Sequence, residues 1–331
     1  MNAKVKKSLI ITGIVLSSIV GLFLLLYFIL FLIGAGSYGE ARDARKYVCA
    51  IPEINSGWAP QGITYTGEDY ILTGYDTDDN TVLYIVNGSK YKRVKLSDKD
   101  GKTLKGHAGG VTCTSNYVYI ANDNVLHVFA LDELKAANGK TPVQVKTVIP
   151  VDNRAAYCYS DEAHLYVGEF YRAGNYETEK SHYYKNNKAI VSCYLLDGDG
   201  LIIDADTQPY PDHCISVTGL VQGFATDGET FILSRSYGLK NSELEYHTYP
   251  HSDGDTITVK FKANPNAESK DVPLYFLSND TKKKTLILPA FSEDITIVGD
   301  RVVVTNEASA NKYFVGKLFD ANKVYSYPIY K

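Results

Sequence analysis

The sequence predicts an all-β fold, a five-bladed β-propeller preceded by one transmembrane helix, and three observations support this prediction. A phrase with a small or polar cluster followed by an alternating apolar stretch recurs five times along the chain. The 27 tyrosines, many in alternating runs such as 117–119, favour strands over helices. The third observation is an uncharged apolar run at residues 9–33. Repeats of this length built from short strands are typical of propellers, in which each repeat forms one blade.

The N-terminal run is long enough to cross a bilayer, since a span needs about 20 apolar residues. Signal-peptide cores are only about 7–15 residues long, so an uncleaved signal anchor is favoured over cleavage near residues 34–36. Lys4, Lys6 and Lys7 precede the run with no acidic residue to offset them, which is typical of a cytoplasmic side. We therefore expect a cytoplasmic tail at 1–8, a membrane anchor at 9–33, a linker at 34–46 and an extracytoplasmic propeller domain at 47–331.

Bulk composition excludes several classes of protein. Hydrophobic residues make up 45% of the chain, so a large core is available. The net charge of −4 and the absence of a Lys/Arg stripe argue against a nucleic-acid partner. The five cysteines form no Cys-x-x-Cys pair, so neither a zinc site nor a thioredoxin-like motif is predicted. Cys113, Cys158 and Cys193 lie in strand-like runs and are expected to be small buried hydrophobes.

Each predicted blade begins with the repeated phrase and continues outward through further strands. In blade two the strands are expected at Gly110–Thr114, Tyr117–Asn122, Val125–Leu131 and Val143–Pro150. Blade three is expected to end with Leu201–Asp206. Blade four is expected to resume at Leu274–Leu277 and Thr285–Leu288, after an insertion between Ser242 and Val272.

The last blade lacks an outer strand, whereas Tyr47–Ala50 precedes blade one without a partner. Pairing Tyr47–Ala50 with Val324–Pro328 closes the ring and removes an exposed sheet edge. A six-bladed ring, in which the insertion of blade four forms an extra blade, is the second choice. A β-sandwich is the other alternative, but its strands would not repeat the same small or polar cluster at the same place.

A propeller gathers the start of each first strand and the end of each second strand at one axial mouth. The first-strand positions are Gln61, Gly109, Ala155, Gln222 and Glu293, with His107 nearby. The second-strand positions are Tyr75, Asn122, Glu169, Ser236 and Glu307, with Arg235 nearby. From these we predict a ligand-binding set of Gln61, His107, Asn122, Glu169, Gln222, Arg235, Glu293 and Glu307.

Three of these residues are carboxylates that would repel one another in a partly dry funnel. Either a cation neutralises Glu169, Glu293 and Glu307, or one of them takes up a proton because its pKa is raised. Ca²⁺ or another divalent cation fits the first alternative, since calcium prefers oxygen ligands. Arg235 and His107 are the internal counter-ions that the sequence offers. No cofactor beyond such an ion is predicted.

Several phrases look like those of a set of exported bacterial propellers, namely Gln61-Gly62-Ile63, Gln222-Gly223-Phe224, Ser234-Arg235-Ser236 and Glu307-Ala308-Ser309. In blade pattern, residues 47–331 resemble the gluconolactonase and calcium-dependent lactonase group and, more broadly, extracellular bacterial propellers of the streptogramin-lyase kind. The resemblance to the lactonase group implies a divalent ion on the axis, with Glu293 as its carboxylate ligand and Asn122 as an amide ligand. The Gln-Gly phrases are also similar to those of plant-type glutaminyl cyclases, another five-bladed group.

The sequence therefore predicts a membrane-anchored extracytoplasmic propeller that binds a small polar ligand, or a carbohydrate- or peptide-like partner, at its axial funnel. Two alternatives stay open. One is a metal-assisted, lactonase-like hydrolase or lyase in the same funnel, in which the ion polarises a carbonyl and activates water. The other is a protein–protein interaction module that docks a partner on segment 171–184 or on the insertion of blade four.

Overall fold

The computed structural model describes residues 2–313 and 323–331. Met1 and residues 314–322, the latter within the range predicted for the propeller domain, lie outside the described residues. The chain divides into two compact units, Met1–Gly39 and Glu40–Lys331. Each unit is built from a different kind of secondary structure, a helix in the first and strands in the second.

The first unit is a single helix, α1 (Ala3–Ser37), which contains the apolar run predicted at 9–33. Its segment Ala3–Leu30 has a mean hydropathy of 2.7 and no buried residues. At about 1.5 Å per residue this segment is longer than the roughly 30 Å hydrocarbon core of a bilayer. The helix is therefore long and apolar enough to serve as a membrane anchor or a signal sequence. A short helix, α2 (Gly39–Ala44), follows where a linker is predicted.

The second unit is mostly β, and its described residues form 22 strands and a short helix, α3 (Leu131–Ala136). The first eight strands are β1 (Lys46–Ala50), β2 (Ala59–Tyr65), β3 (Tyr70–Tyr75), β4 (Thr81–Asn87), β5 (Lys90–Val94), β6 (Leu96–Ser97), β7 (Gly110–Cys113) and β8 (Tyr117–Ala130). The next seven are β9 (Val143–Gln144), β10 (Thr147–Ser160), β11 (His164–Glu169), β12 (Ala189–Leu195), β13 (His213–Val217), β14 (Val221–Thr226) and β15 (Phe231–Arg235). The last seven are β16 (Ser242–His247), β17 (Thr256–Val259), β18 (Lys270–Phe276), β19 (Lys282–Leu288), β20 (Ser292–Val298), β21 (Arg301–Asn306) and β22 (Lys323–Pro328).

Three sheets have four strands each, in the orders β2-β3-β4-β5, β14-β15-β16-β19 and β20-β21-β22-β1. All their pairings are antiparallel. The predicted pairing of the N-terminal strand with the last strand is confirmed, since Tyr47 lies opposite Tyr325 in β1 and β22. In each sheet the strand that begins with the repeated phrase lies at one edge.

A fourth sheet has eight strands in the order β17-β18-β13-β12-β11-β10-β8-β7. Its strand β8 has 14 residues, which would reach more than 40 Å if straight. The amide of Leu131 nevertheless donates to the carbonyl of Asn116 over 2.9 Å, just beyond the two ends of the strand. The strand must therefore fold back on itself, and Asp123, with φ of 58°, lies at its middle. This matches the separate strands predicted at Tyr117–Asn122 and Val125–Leu131.

The strand β10 pairs with β8 along its first part and with β11 along its last part. Its first part, Thr147–Pro150, pairs with the second half of β8. Its last part, Ala155–Ser160, pairs with β11. The sheet thus consists of two antiparallel groups joined through one continuous strand.

The outer strands predicted for blades three and four differ from those in the structure. Leu201–Asp206 forms turns, and β13 is the strand that pairs with β12. Ser242–His247, predicted to belong to the insertion, is instead β16 and pairs with both β15 and β19. The predicted strand Leu274–Leu277 lies mostly in β18, which pairs in parallel with β13. The strands β17 and β18 form a hairpin, here called the insertion hairpin. It extends the eight-stranded sheet, because Val272 and Leu274 pack on Ile190 and Cys214 of that sheet.

The strands that carry the repeated phrase, here called the first strands, pack against one another; they are β2, β7, β10, β14 and β20. β2 packs against β7 and β20, β14 packs against β10 and β20, and β7 packs against β10. Glycine permits this approach: a Cβ on Gly62 would lie 2.8 Å from the Val111 amide nitrogen. A Cβ on Gly223 would likewise lie 2.8 Å from the Ile295 nitrogen. The apolar cores fill the spaces between successive groups of strands, and all five cysteines, each within the described residues, are free thiols.

Candidate functional site

A cavity of about 490 Å³, here called the axial cavity, lies where the first strands meet. All five predicted first-strand positions line it, namely Gln61, Gly109, Ala155, Gln222 and Glu293. His107, predicted beside them, lines it too. Residues spread over more than 200 positions of the chain therefore contribute to one space.

Irregular pairing directs several of these side chains towards the cavity. The register shifts between Pro60 and Ile63, between Ala155 and Tyr157, between Val221 and Gly223, and between Ser292 and Ile295. Each shift lies between a first strand and the strand that follows it. Such bulges re-aim side chains and occur often beside functional sites. Gln61, Gln222 and Glu293 lie within three of them.

The predicted second-strand positions divide into two classes. Tyr75, Asn122, Ser236 and Glu307 line the axial cavity. Glu169 does not, and the next residue, Phe170, lines it instead. Because successive side chains of a strand point to opposite faces, a difference of one residue turns Glu169 away from the axis.

Glu293 and Glu307 form a carboxyl pair in the axial cavity. The Nε2 atom of Gln61 donates to Glu307 Oε2 over 2.9 Å, and Nε2 of Gln222 donates to Glu293 Oε1 over 3.4 Å. Glu293 is 2% exposed. Burial, followed by the charge of Glu307 and a hydrogen bond to it, raises the pKa of Glu293 well above its usual range. Burial also raises the pKa of Glu307. Both shifts have the direction that the second predicted alternative, uptake of a proton by one of the carboxylates, requires.

Tyrosine, histidine and lysine side chains surround the carboxyl pair. His107 stacks on Tyr75, with ring centroids 4.2 Å apart and planes 10° apart. Lys312 Nζ donates to the Tyr75 hydroxyl and lies 4.7 Å from the centre of the Tyr313 ring. Burial lowers the pKa of His107, and the charge of Lys312 lowers it further. The lowered pKa favours the neutral ring of His107, which is opposite to what a counter-ion of the carboxyl pair needs.

The mouth of the cavity carries an aromatic wall. Phe170 stacks on Tyr237 at 6.3 Å and meets Tyr176 edge-on at 5.5 Å. The Arg172 guanidinium lies 4.0 Å from the centre of the Tyr237 ring. Tyr176 and Tyr237 are 43% and 38% exposed, so part of each ring is available to a ligand. Sequence reasoning missed this wall, because its residues lie in loops or one position away from the repeated columns.

Beneath the mouth, Asp294 ties three first strands together. It is fully buried, and its Oδ2 accepts the amides of Ile63 and Val111, each over 3.2 Å. Its Oδ1 has no partner among residues 2–313 and 323–331. Burial raises its pKa well above the usual range, although these amides lower it.

Two predicted site residues belong elsewhere, and this corrects the predicted set. Glu169 lines a second cavity, where it pairs with His182 over 2.9 Å. Arg235 Nη1 binds Glu243 and Glu245, at 2.9 and 2.7 Å, instead of the axial carboxylates. The three carboxylates predicted as metal ligands are therefore not brought together. Within the described part of the chain no group of three or more His, Cys, Asp or Glu side chains has metal-binding geometry.

Comparison with family models finds no match to this chain, and comparison with curated proteins finds none either. Solved structures are similar at low identity. A GH43_1 enzyme from Xanthomonas citri is 11% identical with a TM-score of 0.45, over 89% of this chain and 93% of that one. The β-propeller domain of Cps50 (Swd1) from Myceliophteria thermophila is 7% identical with a TM-score of 0.37, over 82% and 83%.

Hsv2 from Kluyveromyces lactis is 10% identical with a TM-score of 0.29, and the match covers 76% of this chain. The chain spans 58% of the length of Hsv2. These likenesses concern the arrangement of strands and carry nothing about activity. The chain is a mostly-β protein that resembles propellers in fold and carries one N-terminal apolar helix.

Proposed function

We propose that the chain is a membrane-anchored, extracytoplasmic propeller of five blades whose axial cavity binds a small polar ligand, with a saccharide as the first choice. The observation that carries the proposal is the meeting of five first-strand positions at one cavity. The contacts between blades, the N-terminal helix and the chemistry of the cavity also support it.

The contacts between first strands support five blades. They run from β2 to β7, β10, β14 and β20 and return to β2. Each of these strands begins a group of antiparallel strands, and the group of β20 takes β1 as its outer strand. This assignment leaves the insertion hairpin β17–β18 as an extension of the third blade and not as a sixth.

The N-terminal helix supports a signal anchor at 9–33 with residues 1–8 in the cytoplasm. Lys4, Lys6 and Lys7 lie before the apolar run, as the positive-inside rule expects of the cytoplasmic end. The propeller domain at 47–331 then lies outside the cytoplasm. Protease added to intact cells that express the full chain should digest this domain, whereas a tag placed before Ala3 should survive until the cells are opened. Survival of the domain in intact cells would contradict the orientation.

The chemistry of the axial cavity suits a neutral molecule with many hydroxyl groups. A volume of about 490 Å³ lies in the range of small-molecule sites. The carboxyl pair with its shared proton both donates and accepts, as do the amides of Gln61 and Gln222. The exposed rings of Tyr176 and Tyr237 supply an apolar face beside these polar groups. Aromatic faces next to convergent hydrogen-bonding groups match the two surfaces of a sugar ring.

Binding is best followed at His107, since it lines this cavity. The full chain, labelled with ¹⁵N-histidine and held in phospholipid nanodiscs, is titrated with glucose and with N-acetylglucosamine. We expect a saturable shift of the His107 ring signal, assigned with His107→Gln. Glu307→Gln should weaken the response, whereas Glu243→Gln, whose carboxylate pairs with Arg235 away from the cavity, should not. A His107 signal that neither sugar moves would overturn the proposed ligand class.

A further inference from the structure

A second cavity, here called the lateral cavity, has a volume of about 780 Å³. Side chains of β10 and β11, the turn around Lys180–His182, and the insertion hairpin line it. Asp123 and Arg154 line both cavities, and their ion pair of 2.9 Å forms a wall between the two. Its volume lies in the range of small-molecule sites.

A histidine–carboxylate pair lies at the floor of the lateral cavity. His182 Nδ1 bonds Glu169 Oε1 over 2.9 Å, and the Ile190 amide donates to the same oxygen over 3.2 Å. Both side chains are at most 5% exposed. Burial alone would lower the pKa of His182, but the hydrogen bond and charge of Glu169 outweigh it and raise the pKa. Since Nδ1 is occupied by Glu169, Nε2 is the ring nitrogen left to face a ligand.

Asp152 adds a second buried carboxyl to this floor. The Tyr194 hydroxyl donates to its Oδ1 over 2.6 Å, and the Ser192 hydroxyl donates to its Oδ2 over 2.9 Å. These bonds occupy Asp152 and fix its position. The hydrogen bonding of a ligand is therefore left to the neighbours of Asp152.

Asn153 carries an acceptor that the protein does not use. It is 1% exposed, and its Nδ2 donates to the Val167 carbonyl over 2.7 Å. Its Oδ1 is buried in the cavity lining and has no partner among the described residues. A buried polar atom without a hydrogen bond costs about 1–3 kcal/mol. Because Asn153 lines the lateral cavity, its unpaired acceptor favours a ligand that can donate a hydrogen bond there.

We propose that the lateral cavity is a second ligand site and takes a neutral, hydroxyl-rich molecule of mono- or disaccharide size. A hydroxyl group both accepts and donates, so a ligand with several hydroxyl groups can accept from His182 Nε2–H and donate to Asn153 Oδ1. An ammonium group cannot accept from His182 and is repelled by it. A carboxylate cannot donate to Asn153, and the lining that it would meet carries acidic side chains such as Glu177 as well as the basic Lys260. The buried ring of Phe261 supplies an apolar wall.

This site does not depend on the axial cavity, and the two sites have separate reporters. In the ¹⁵N-histidine spectra of the full chain in nanodiscs, His182 reports on the lateral cavity and His107 on the axial cavity. We expect glucose or N-acetylglucosamine to shift the His182 signal, assigned with His182→Gln, to saturation. A shift at His182 without one at His107 would support the lateral site and contradict the axial proposal, and the converse would do the reverse.

Two substitutions test the lateral site directly. Ser269→Trp fills its exposed rim without touching the floor and should abolish the His182 shift. Asn153→Ala removes the unpaired acceptor and should weaken binding about tenfold. Ser89→Trp, at an exposed turn elsewhere, and Glu307→Gln in the axial cavity should leave the His182 shift unchanged.

Three results would overturn the proposal. They are a His182 signal that neither sugar moves, a signal that methylammonium or acetate moves while the sugars do not, and a full sugar response in Ser269→Trp. Because Ser269→Trp leaves every buried hydrogen bond in place, the test does not depend on whether Asn153→Ala folds.

Discussion

The axial and lateral cavities each hold a glutamate from the end of a second strand, in opposite electrostatic surroundings. Glu307 lies against Glu293, and burial together with the charge of Glu307 raises the pKa of Glu293. Glu169 lies against His182, which balances its charge. Burial raises the pKa of both glutamates, and a basic side chain opposes this in each case: His182 hydrogen-bonds to Glu169, whereas Lys312 acts on Glu307 through its charge.

The comparison shows that equivalent strand positions do not imply equivalent roles. Phe170, not Glu169, occupies the place in the third group that Glu307 occupies in the fifth. One cavity therefore carries two adjacent carboxyl groups with raised pKa values, and the other carries a histidine–carboxylate pair beside an unsatisfied amide oxygen. Substitutions that remove one charge should then have opposite consequences in the two cavities.

The largest effect is expected from Asp294→Ala, which tests what holds the axial cavity together. The change leaves the buried amides of Ile63 and Val111 without an acceptor, at about 1–3 kcal/mol each. We expect a loss of about 2–5 kcal/mol in the free energy of unfolding, measured by urea denaturation. Asp294→Asn keeps one oxygen acceptor and should cost clearly less. Equal losses in the two variants would show that the amides do not depend on this oxygen.

The sharpest test of the comparison is the pair Glu169→Gln and Glu307→Gln. Glu169→Gln removes the charge that His182 faces and should lower stability by about 1–3 kcal/mol. Glu307→Gln relieves repulsion and should raise the melting temperature by about 2–4 °C, equivalent to about 1 kcal/mol. Thermal melts of the two variants beside the wild type measure both effects.

A chelator serves as the control for this pair. If a divalent cation neutralises Glu293 and Glu307, Glu307→Gln lowers the melting temperature and the chelator lowers that of the wild type alone. That outcome would restore the metal-assisted alternative with two of its three predicted carboxylates. With a shared proton, the chelator leaves both melting temperatures unchanged.

The pH dependence of stability should separate the two cavities. Glu293 and Glu307 have raised pKa values when folded, so their contribution is present below the ordinary value of 4.5 and is lost as the pH rises above it. His182, which faces Glu169, Asp152 and Glu179, also has a raised pKa, so its contribution is present below 6.5 and is lost above that value. Glu307→Gln should flatten the acidic part of the melting curve against pH, and His182→Gln the part above 6.5. If each variant altered the other part, the assignment of the two groups would be wrong.

The sequence predicts much of this arrangement because the repeated phrase marks where each group of strands begins. All five first-strand positions and the β1–β22 pairing agree with the structure. The bulges preserve these positions, since each bulge occurs where the repeated phrase begins. The orientation of Glu169 is not predictable in the same way, because one residue of register decides which face it occupies.

The repeated phrase does not predict the lateral cavity. Its floor joins Asp152, Glu169 and His182 with the insertion hairpin, and these elements are adjacent only because β18 pairs in parallel with β13. A parallel pairing between segments about 60 residues apart has no local signal in hydrophobic alternation. The aromatic wall of the axial mouth was missed for a similar reason, since Tyr176 and Tyr237 lie outside the strands.

The smallest effect on stability is expected at that aromatic wall, where Tyr237→Ala should affect binding alone. Tyr237 is 38% exposed and packs on Phe170 and Arg172, so its loss should change stability by little more than about 0.5 kcal/mol. If sugar rings stack on it, the affinity measured at His107 should fall about three- to tenfold. Tyr249→Ala is the matched control, because Tyr249 is 62% exposed and does not line the axial cavity. Equal affinity in both variants would mean that the wall is not part of the ligand site and that recognition at the axial mouth rests on the carboxyl pair and the two glutamines.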